Sequence, residues 1–236
     1  MSVSVVIATR GRKAALLARA VESAWQPRTL EVIVVSESEV LVDHCTLIYC
    51  APSGGRPGLT RNEGLKVARG EWVAFLDDDD EWLASKLELQ VSQTERDGTH
   101  FSCAAAVEGS CGGSSAELPR LFRLSDIQGR NPIVCSSVVA RTQLLRDLGG
   151  FGGKKYGQDY ELWLRCLDHC HLASFIPTVL VKLNADPDDL DRSTVREETR
   201  RSVKTLLDRH STPFSGLETH ARADIANLVT DFSNGS

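Results

Sequence analysis

Four consecutive aspartates, Asp77 to Asp80, are the clearest chemical feature of the 236-residue chain. They follow the apolar segment 71–76, which is predicted to be a buried strand. Neighbouring carboxylates repel one another and raise one another's pKa. One of them could cap a helix beginning near Trp82, and Asp80 is well placed for that. A helix cap and a solvated acidic turn explain one or two of the carboxylates, but explain the set poorly.

A divalent cation, Mg²⁺ or Mn²⁺, explains the set better, because hard cations bind oxygen ligands and neutralise clustered negative charge. If the chain stays extended here, Asp77 and Asp79 point to the same side. An ion held by one or two carboxylates takes its other ligands from water or phosphate, which suggests a diphosphate. Arg10, Arg12 and Arg61 could supply cations for it, although each taken alone is better explained as a surface charge.

A second candidate is the segment GQDYELWLR, residues 157–165. Asp159 would lie at the start of a helix, where the helix dipole favours a charged carboxylate. Glu161 and Arg165 are spaced as an i, i+4 ion pair on that helix. Asp159 alone is better explained as a helix cap, and a role as a base requires that it face the crevice formed by the aspartates.

The elements that must position these residues alternate between strand and helix in the first hundred residues. Buried strands are predicted at 3–8, 30–35 and 71–76, and a weaker strand at 46–51. Helices are predicted at 58–69, at 82–96 and around Leu17, Val21, Ala24 and Trp25. This alternation predicts an α/β fold with a parallel sheet between helices. Ligands bind at the carboxyl edge of such sheets, so the segments 8–12, 36–37 and 77–80 should converge on one crevice.

The second half has a different pattern. A strand is predicted at 133–140, a helix at 142–148 that ends at two glycines, a helix at 157–169, and a strand at 173–183 that Pro177 interrupts. The polar, glycine-rich segment 108–117 is a candidate lid. The charged segment 186–236 predicts a helical C-terminal tail, which could support a homodimer or merely cover the sheet.

Composition narrows the class of protein. Hydrophobic residues make up 42% and charged residues 25%, as in a packed globule. A formal charge of −5 argues against broad nucleic-acid binding. The seven cysteines form no CxxC pair, no basic leader precedes the first apolar run, and no apolar stretch approaches the length of a membrane span. We therefore expect reduced thiols, a cytoplasmic location and no integral membrane segment.

Five segments together resemble the family 2 inverting glycosyltransferases with the GT-A fold. They are VSVVIATRGR (3–12), EVIVVSES (31–38), LTRNEGLKVARGEWVAFLDDDDEWLASKLELQ (59–90), IVCSSVVARTQLLRDLGGF (133–151) and GQDYELWLR (157–165). The resemblance covers residues 3 to about 183 in the expected order. The aspartates followed by a Trp-containing segment, and the GGF that precedes the D-Y-E-L-W-L-R helix, are its most specific parts.

The resemblance implies a Rossmann-like, mostly parallel sheet flanked by helices. Residues 1–100 would be the nucleotide-sugar-binding half, residues 101–185 a smaller acceptor-binding half, and residues 186–236 the helical tail. The activity implied is metal-assisted transfer of one sugar, with inversion, from a UDP- or dTDP-sugar. The acceptor could be a small molecule, a glycan end or a peptide. The processive members' Q-x-x-R-W signature is absent from the sequence, which favours transfer of a single sugar.

The resemblance also implies residue roles. Asp79 would bind Mn²⁺ or Mg²⁺ through the diphosphate, Asp80 would face the donor sugar, and Asp159 would be the general base. The other residues implied to contact the nucleotide are Ala8, Thr9 and Arg10 at the nucleobase, Glu37 near the base or ribose, Arg61, and Asp77 and Asp78 at the nucleoside end.

Several positions depart from the family pattern. Ser36-Glu37 stands where the family usually has two aspartates, which bears on the choice of nucleotide. Gln158 stands where an acidic residue usually precedes the base, and Arg10-Gly11 where Tyr and Asn are frequent.

Three other interpretations remain. Ser36 and Gln158 are the hints of a glycosyltransferase-like scaffold that has lost activity. A haloacid-dehalogenase-type phosphohydrolase would use Asp77 as its nucleophile, but its aspartate follows the first strand, not the fourth. A nucleotidyltransferase would carry a glycine-rich basic loop after the first strand, and residues 9–13 have the charge but one glycine.

Overall fold

Strand β1 (Val3–Thr9) lies inside the sheet of the computed structural model, which describes residues 1–108, 113–114, 118–128 and 130–184. It pairs in parallel with β2 (Thr29–Ser36), and β2 pairs in parallel with β3 (Thr46–Tyr49). On its other side β1 pairs in parallel with β4 (Trp72–Asp77). Residues 3–7 of β1, 32–35 of β2 and 72–76 of β4 are buried on both faces, as continuous apolar runs predict. Strand β3 is only partly buried, and Tyr49 is 56% exposed.

The sheet continues beyond β4 with strands of both directions. The short strands are β5 (Glu81–Trp82), β7 (Gly113–Ser114), β8 (Leu121–Phe122) and β9 (Val139–Arg141), and the long ones are β6 (Phe101–Glu108) and β10 (Ala173–Leu183). The order is β3-β2-β1-β4-β9-β6-β10-β5, with β7 paired to β6 and β8 to β10. Strand β9 is antiparallel to both β4 and β6, and β10 is parallel to β6. The six longest strands therefore run in one direction, which confirms the mostly parallel sheet.

Helices cover the sheet. They are α1 (Ala14–Ala24), α2 (Pro57–Val67), α3 (Lys86–Asp97), α4 (Leu124–Ile127), α5 (Thr142–Asp147) and α6 (Gln158–Cys170). Helix α6 packs Trp163 against Phe101, with ring centroids 5.3 Å apart, and Phe75 lies 4.9 Å from Phe151 in the same cluster. Burial of each such ring contributes about 1.5–3 kcal/mol. This cluster fixes the start of α6 relative to β4, which matters because Asp77 and Asp159 lie on those two elements.

The region after the aspartates differs from the prediction. Trp82 does not start a helix: it lies in β5, opposite Val181 of β10, and α3 begins only at Lys86. The reason is tertiary, since the Trp82 backbone N–H donates to the Ser23 hydroxyl and its indole N–H donates to the Ser136 carbonyl. Asp80 is therefore not a helix cap.

Three further predictions need correction. Segment 133–140 is not a continuous strand, because a 3-10 turn at Cys135–Ser137 precedes β9. Strand β6 was not predicted, since its centre is a run of small residues with little strand signature. Trp25 lies just past α1, is 46% exposed and donates its indole N–H to the His44 carbonyl.

Other boundaries agree with the prediction. Gly149 and Gly150 both have positive φ, which ends α5 as glycines do. The pairing of β10 with β6 is irregular around Pro177, where the register shifts between Ile176 and Val179.

Most of the candidate lid segment 108–117 and the whole of the predicted tail 186–236 lie outside the described residues. In the described part of the chain, no helix has both the length and the apolar character needed to cross a bilayer.

Candidate functional site

The carboxyl ends of β1, β2 and β4 meet at one point of the sheet. Ala8 is the register partner of Asp77, and Thr9 is the partner of Ser36. The backbone N–H of Glu37 donates a 3.1 Å hydrogen bond to the Thr9 carbonyl. Strand β2, which follows β1 in the chain, lies on one side of β1 in the sheet, and β4 lies on the other side. The carboxyl end of β1 is therefore the topological switch point, where open α/β sheets bind ligands. The predicted convergence of segments 8–12, 36–37 and 77–80 is confirmed.

The aspartates form a turn, residues 77–80, which we call the acidic turn. The backbone N–H of Asp80 donates a 3.2 Å hydrogen bond to the Asp77 carbonyl, which closes it as a β-turn. The Thr9 hydroxyl donates a 2.5 Å hydrogen bond to the Asp78 carboxylate. Burial raises the pKa of Asp78, and the charges of Asp79 and Asp77 raise it further.

Arg61 supplies a buried cation beside the acidic turn. Its guanidinium Nη2 lies 2.5 Å from a carboxylate oxygen of Asp77, and the residue is 5% exposed. It also lies over the Phe151 ring, 5.5 Å from the centroid. Its Nε and Nη1 are buried and have no hydrogen-bond partner within the described ranges. The burial and the pairing with Asp77 make Arg61 a fixed internal charge of the crevice.

Lys13, just before α1, pairs with the third aspartate. Its Nζ lies 3.0 Å from a carboxylate oxygen of Asp79. Both side chains are partly exposed, at 28% for Lys13 and 22% for Asp79. Asp79 is therefore accessible from the crevice and already interacts with one cation. Lys13 was not among the predicted site residues, although its position after Arg10 and Arg12 in the basic segment 9–13 could have indicated it.

Asp80 is held inside the protein and is 5% exposed. Its carboxylate accepts a 2.6 Å hydrogen bond from the Ser136 hydroxyl and a 3.2 Å bond from the Asn184 backbone N–H. Burial, together with the nearby charge of Asp77, raises the pKa of Asp80 to about 8. Sequence reasoning missed Ser136 and Asn184. The one available signal was the Ser-Ser pair that interrupts the apolar run 133–140.

Glu37 is fixed by the segment that leads into α2. Its carboxylate accepts hydrogen bonds of 2.5 Å from the Ser53 hydroxyl and 2.8 Å from the Thr60 hydroxyl. Burial raises the pKa of Glu37, but these hydrogen bonds and the charge of Arg10 lower it more, and the net pKa lies below the ordinary value. Glu37 is thus a fixed anion at the end of β2, next to the fully buried Ser36.

Two cationic side chains lie next to Gly55. The Cε of Lys155 and the Nη2 of Arg10 lie 3.4 Å and 3.5 Å from the point where a Cβ on Gly55 would stand. Gly55 has a φ of +79°, so glycine is favoured there on backbone grounds as well. Arg10 was predicted to lie at the site, and Lys155 was not. Ala8, two residues earlier in the chain, is half-buried beside the acidic turn.

Asp159 lies in the first turn of α6 and is half-buried. Its carboxylate accepts a 3.0 Å hydrogen bond from the Asn131 side-chain amide. Burial raises the pKa of Asp159, the charge of Arg61 lowers it and that of Asp77 raises it. Asp159 therefore shares the electrostatic environment of Arg61 and Asp77. Its neighbour Gln158 is 7% exposed, and the Oε1 of Gln158 is without a partner in the described chain.

The predicted Glu161–Arg165 pair is present, with Nη2 and Oε2 2.7 Å apart. Arg165 also donates to the carbonyls of Leu148 and Gly150. The pair therefore holds the two-glycine end of α5 against α6 and has a structural role.

The described residues contain no group of three or more His, Cys, Asp or Glu side chains arranged to hold a metal ion. The acidic turn therefore has no preformed cage. What it offers is the accessible carboxylate of Asp79, which fits an ion that takes most of its ligands from phosphate oxygens and water, as Mg²⁺ usually does.

In a comparison with protein-family models, residues 4–146 match the family described as Glycosyl transferase family 2. The amylovoran biosynthesis glycosyltransferase AmsE of Erwinia amylovora is 31% identical over 144 residues, which cover 57% of this chain and 53% of AmsE. The glucosyltransferase WfgD of Escherichia coli is 31% identical over 109 residues, or 45% of this chain and 42% of WfgD. The chain thus spans about half the length of the curated relatives it matches.

Solved structures give the same fold. Residues 1–349 of S. aureus TarS align with a TM-score of 0.65 and 20% identity, over 78% of this chain and 60% of that one. The complex of the same TarS fragment with UDP aligns with a TM-score of 0.65 and 18% identity, over 98% of this chain and 80% of that one. At this identity the likeness establishes the fold.

Proposed function

The chain belongs to glycosyl transferase family 2, and on that premise we propose that it transfers a single sugar from a nucleotide-diphosphate donor to an acceptor, with inversion. The observation that carries the proposal is the meeting of three sets of side chains at the switch point of the sheet. These are the acidic turn, the buried Arg61 paired with Asp77, and Asp159 at the start of α6. A nucleotide, an ion and an acceptor hydroxyl each have a group of matching chemistry there.

On the donor side, Thr9 and Asp78 would hold the nucleoside end together, because they are already hydrogen-bonded to each other. Glu37 and Ala8 would line the nucleobase side. Asp79 would hold Mn²⁺ or Mg²⁺ shared with the diphosphate. When bound, such an ion would offset the negative charge that develops on the leaving diphosphate.

On the acceptor side, Asp159 would be the general base. It would accept the proton of the acceptor hydroxyl as that oxygen attacks the anomeric carbon and the nucleoside diphosphate leaves from the opposite face. Burial raises its pKa above the ordinary aspartate value, which makes its carboxylate a better proton acceptor. Asn131 orients the carboxylate through the 3.0 Å hydrogen bond. Arg61 keeps a positive charge between the base and the acidic turn, which favours binding of an anionic donor.

UDP-sugars are the first donors to test. WfgD is named as a UDP-Glc-dependent glucosyltransferase, and TarS has been solved with UDP-GlcNAc. dTDP-sugars are the next choice, since Ser36-Glu37 departs from the family's usual pair at the nucleobase side. UDP-glucose and UDP-GlcNAc therefore serve as the probes below.

The test is thermal unfolding with UDP, dTDP and GDP, each with and without Mn²⁺, on the wild type and on Asp79→Ala. A ligand at one hundred times its Kd adds about 2.7 kcal/mol of stability, a Tm shift of several degrees in a domain of this size. We expect a Mn²⁺-dependent shift with UDP that Asp79→Ala loses. Asp43→Ala, which removes a carboxylate remote from the acidic turn, is the control and should behave as the wild type.

Two results would contradict parts of the proposed function. If no nucleotide shifts the wild type and no UDP-sugar is cleaved, the non-catalytic scaffold becomes the better interpretation. If UDP shifts the wild type and Asp79→Ala equally, with the same Mn²⁺ dependence, the assignment of the ion to Asp79 is wrong while donor binding stands.

A further inference from the structure

Ser136 contacts the acidic turn at both of its ends. Its hydroxyl donates a 2.6 Å hydrogen bond to the Asp80 carboxylate and accepts a 3.1 Å bond from the Asp77 backbone N–H. Its carbonyl oxygen accepts a 2.8 Å bond from the indole N–H of Trp82. Ser136 is fully buried, so water does not compete for these bonds. One residue thus links the first and last residues of the turn to the short strand that follows it.

Asn184 holds the same turn from the other side. Its backbone N–H donates to the Asp80 carboxylate at 3.2 Å, and its side-chain amide donates to the Asp79 carbonyl at 2.6 Å. Both carboxylate oxygens of Asp80 are therefore hydrogen-bonded inside the protein. The side chains of Asp77 and Asp79 are 35% and 22% exposed. The turn separates two carboxylates that face the crevice from one that is buried beneath it.

This inference rests on the proposed function. We propose that Ser136 is a positioning residue for the donor site: it holds the acidic turn in the shape in which Asp77 and Asp79 reach the nucleotide and its ion. In this arrangement Asp80 acts through Ser136 as a buried anchor and does not contact the donor sugar.

The consequence of losing the hydroxyl follows from the contacts. Without it, Asp80 loses one of its two hydrogen-bond donors and the Asp77 N–H loses its acceptor. A buried group left without its partner is costly, so the turn shifts to restore one. A shift of about 1 Å in a group that contacts substrate can lower activity roughly a hundredfold.

The test compares Ser136→Ala with Ser137→Ala. Ser137 lies in the same 3-10 turn and is 1% exposed, but its hydroxyl donates locally to the Val134 carbonyl at 2.7 Å. Each variant removes one buried hydroxyl, but Ser136→Ala breaks two hydrogen bonds and Ser137→Ala breaks one, so the change in Tm is measured for both and compared with the change in activity. We expect Ser136→Ala to weaken Mn²⁺-dependent UDP binding and to lower kcat/KM for UDP-glucose cleavage by roughly ten- to a hundredfold. Ser137→Ala should stay close to the wild type in both.

A second pair of variants keeps the test decisive if Ser136→Ala does not fold. Trp82→Phe removes the indole N–H that Ser136 accepts but keeps an aromatic ring in place. Trp72→Phe is its control, because the buried indole N–H of Trp72 is without a partner in the described chain. We expect Trp82→Phe to change UDP binding and kcat/KM in the same direction as Ser136→Ala, by a smaller factor. Trp72→Phe should leave both unchanged.

The outcomes separate the two proposals. A wild type that neither binds UDP nor cleaves UDP-glucose or UDP-GlcNAc contradicts the proposed function itself. A wild type that binds UDP, with equal effects in Ser136→Ala and Ser137→Ala that follow only the change in Tm, overturns the positioning role and leaves the proposed function standing. All activities are measured well below the Tm of the less stable variant.

Discussion

The ammonium of Lys13 lies 3.0 Å from a carboxylate oxygen of Asp79, and both side chains reach the crevice. A divalent ion at Asp79 would therefore be close to a fixed positive charge. A divalent ion and a unit charge about 4 Å apart repel by about 2 kcal/mol in a watery environment, and salt screens part of this repulsion. The ammonium also occupies one of the two Asp79 carboxylate oxygens that the ion could use. Lys13 should therefore weaken binding of the ion that we propose at Asp79.

We predict that Lys13→Met lowers the Mn²⁺ concentration needed for half of the UDP-induced Tm shift by about five- to thirtyfold, for the roughly 1–2 kcal/mol that remains after screening by salt. The measurement is a Mn²⁺ titration of thermal unfolding at saturating UDP. Lys66→Met is the matched control, because Lys66 pairs with Glu63 on the exposed face of α2. An unchanged or increased Mn²⁺ requirement in Lys13→Met would show that Lys13 does not compete with the ion.

The parallel core of the fold could be predicted because its strands are continuous apolar runs, such as the fully buried Val5 to Ile7 of β1. Right-handed crossovers then fix which strand ends meet, so the convergence of Thr9, Glu37 and Asp77 followed from the pattern alone. Both are local or topological properties that the order of residue types contains.

The support of the acidic turn could not be predicted, because it depends on contacts between residues far apart in the sequence. Ser136 is 56 residues from the Asp80 carboxylate that it binds, and Asn184 is 104 residues from it. Helical spacing after the aspartates predicted that Trp82 starts a helix. Its bonds to Ser23 and Ser136 outweighed that local preference and placed it in a strand.

Asp159 provides a test of the proposed base. We predict that Asp159→Asn lowers the rate of UDP-glucose cleavage by about 10²–10⁴-fold, the usual contribution of a general base, while the UDP-induced Tm shift remains. Asp147→Asn, on the neighbouring α5, is the control. Retention of more than about a tenth of the wild-type rate would exclude the role, because a general base contributes at least about a hundredfold.

The pH dependence of the wild type should identify the same group. The base is active when deprotonated, so the rate falls as pH is lowered through its pKa. Because burial raises the pKa of Asp159, the acid limb should lie above the ordinary aspartate value of about 3.9. Asn131→Ala removes a hydrogen bond to the charged carboxylate, and should move this limb to higher pH. A limb that does not move in Asn131→Ala would indicate that another group titrates.

Lys86 should make the stability of the fold depend on pH. It is fully buried, its Nζ has no hydrogen-bond partner within the described residues, and it lies 4.2 Å from the Trp82 ring centroid. Burial lowers the pKa of Lys86 to about 7, while the nearby Cys103 opposes this shift. The unfolded state keeps an ordinary lysine pKa near 10.5. The folded state therefore binds fewer protons between about pH 7 and 10.5, and the free energy of unfolding should rise with pH across that window.

We predict that Lys86→Met raises the free energy of unfolding by about 1–4 kcal/mol at pH 6.5. At this pH the buried lysine is charged, so the full free-energy cost of burying its charge is present. Each pKa unit corresponds to about 1.4 kcal/mol, and the cation–π contact with Trp82 offsets part of the total. The gain should shrink as pH approaches 10.5. Urea unfolding of both proteins across this range is the measurement, with Lys66→Met as the exposed control. A gain that is independent of pH would show that packing, not charge, is responsible.

Arg10 and Lys155 both lie next to Gly55, and neither of them forms an ion pair within the described residues. Two cationic side chains beside the same glycine, in a chain of net charge −5, favour an anionic ligand. We predict that this pair binds a phosphate of the donor, so that Arg10→Gln and Lys155→Gln each weaken UDP binding by about five- to tenfold, or roughly 1–1.4 kcal/mol. The effect should diminish at high salt, because exposed charges are screened.

Uridine makes this prediction specific. It has the same base and ribose as UDP but no phosphate, so its binding should be unchanged in Lys155→Gln and in Arg10→Gln. The resemblance instead places Arg10 at the nucleobase. On that assignment, Arg10→Gln would weaken the binding of uridine and the binding of UDP by the same factor. Isothermal titration of both ligands into the wild type and the two variants separates the alternatives. Arg96→Gln, at the end of α3, controls for the loss of one positive charge elsewhere on the surface. Equal losses for both ligands in Lys155→Gln would exclude a phosphate contact there.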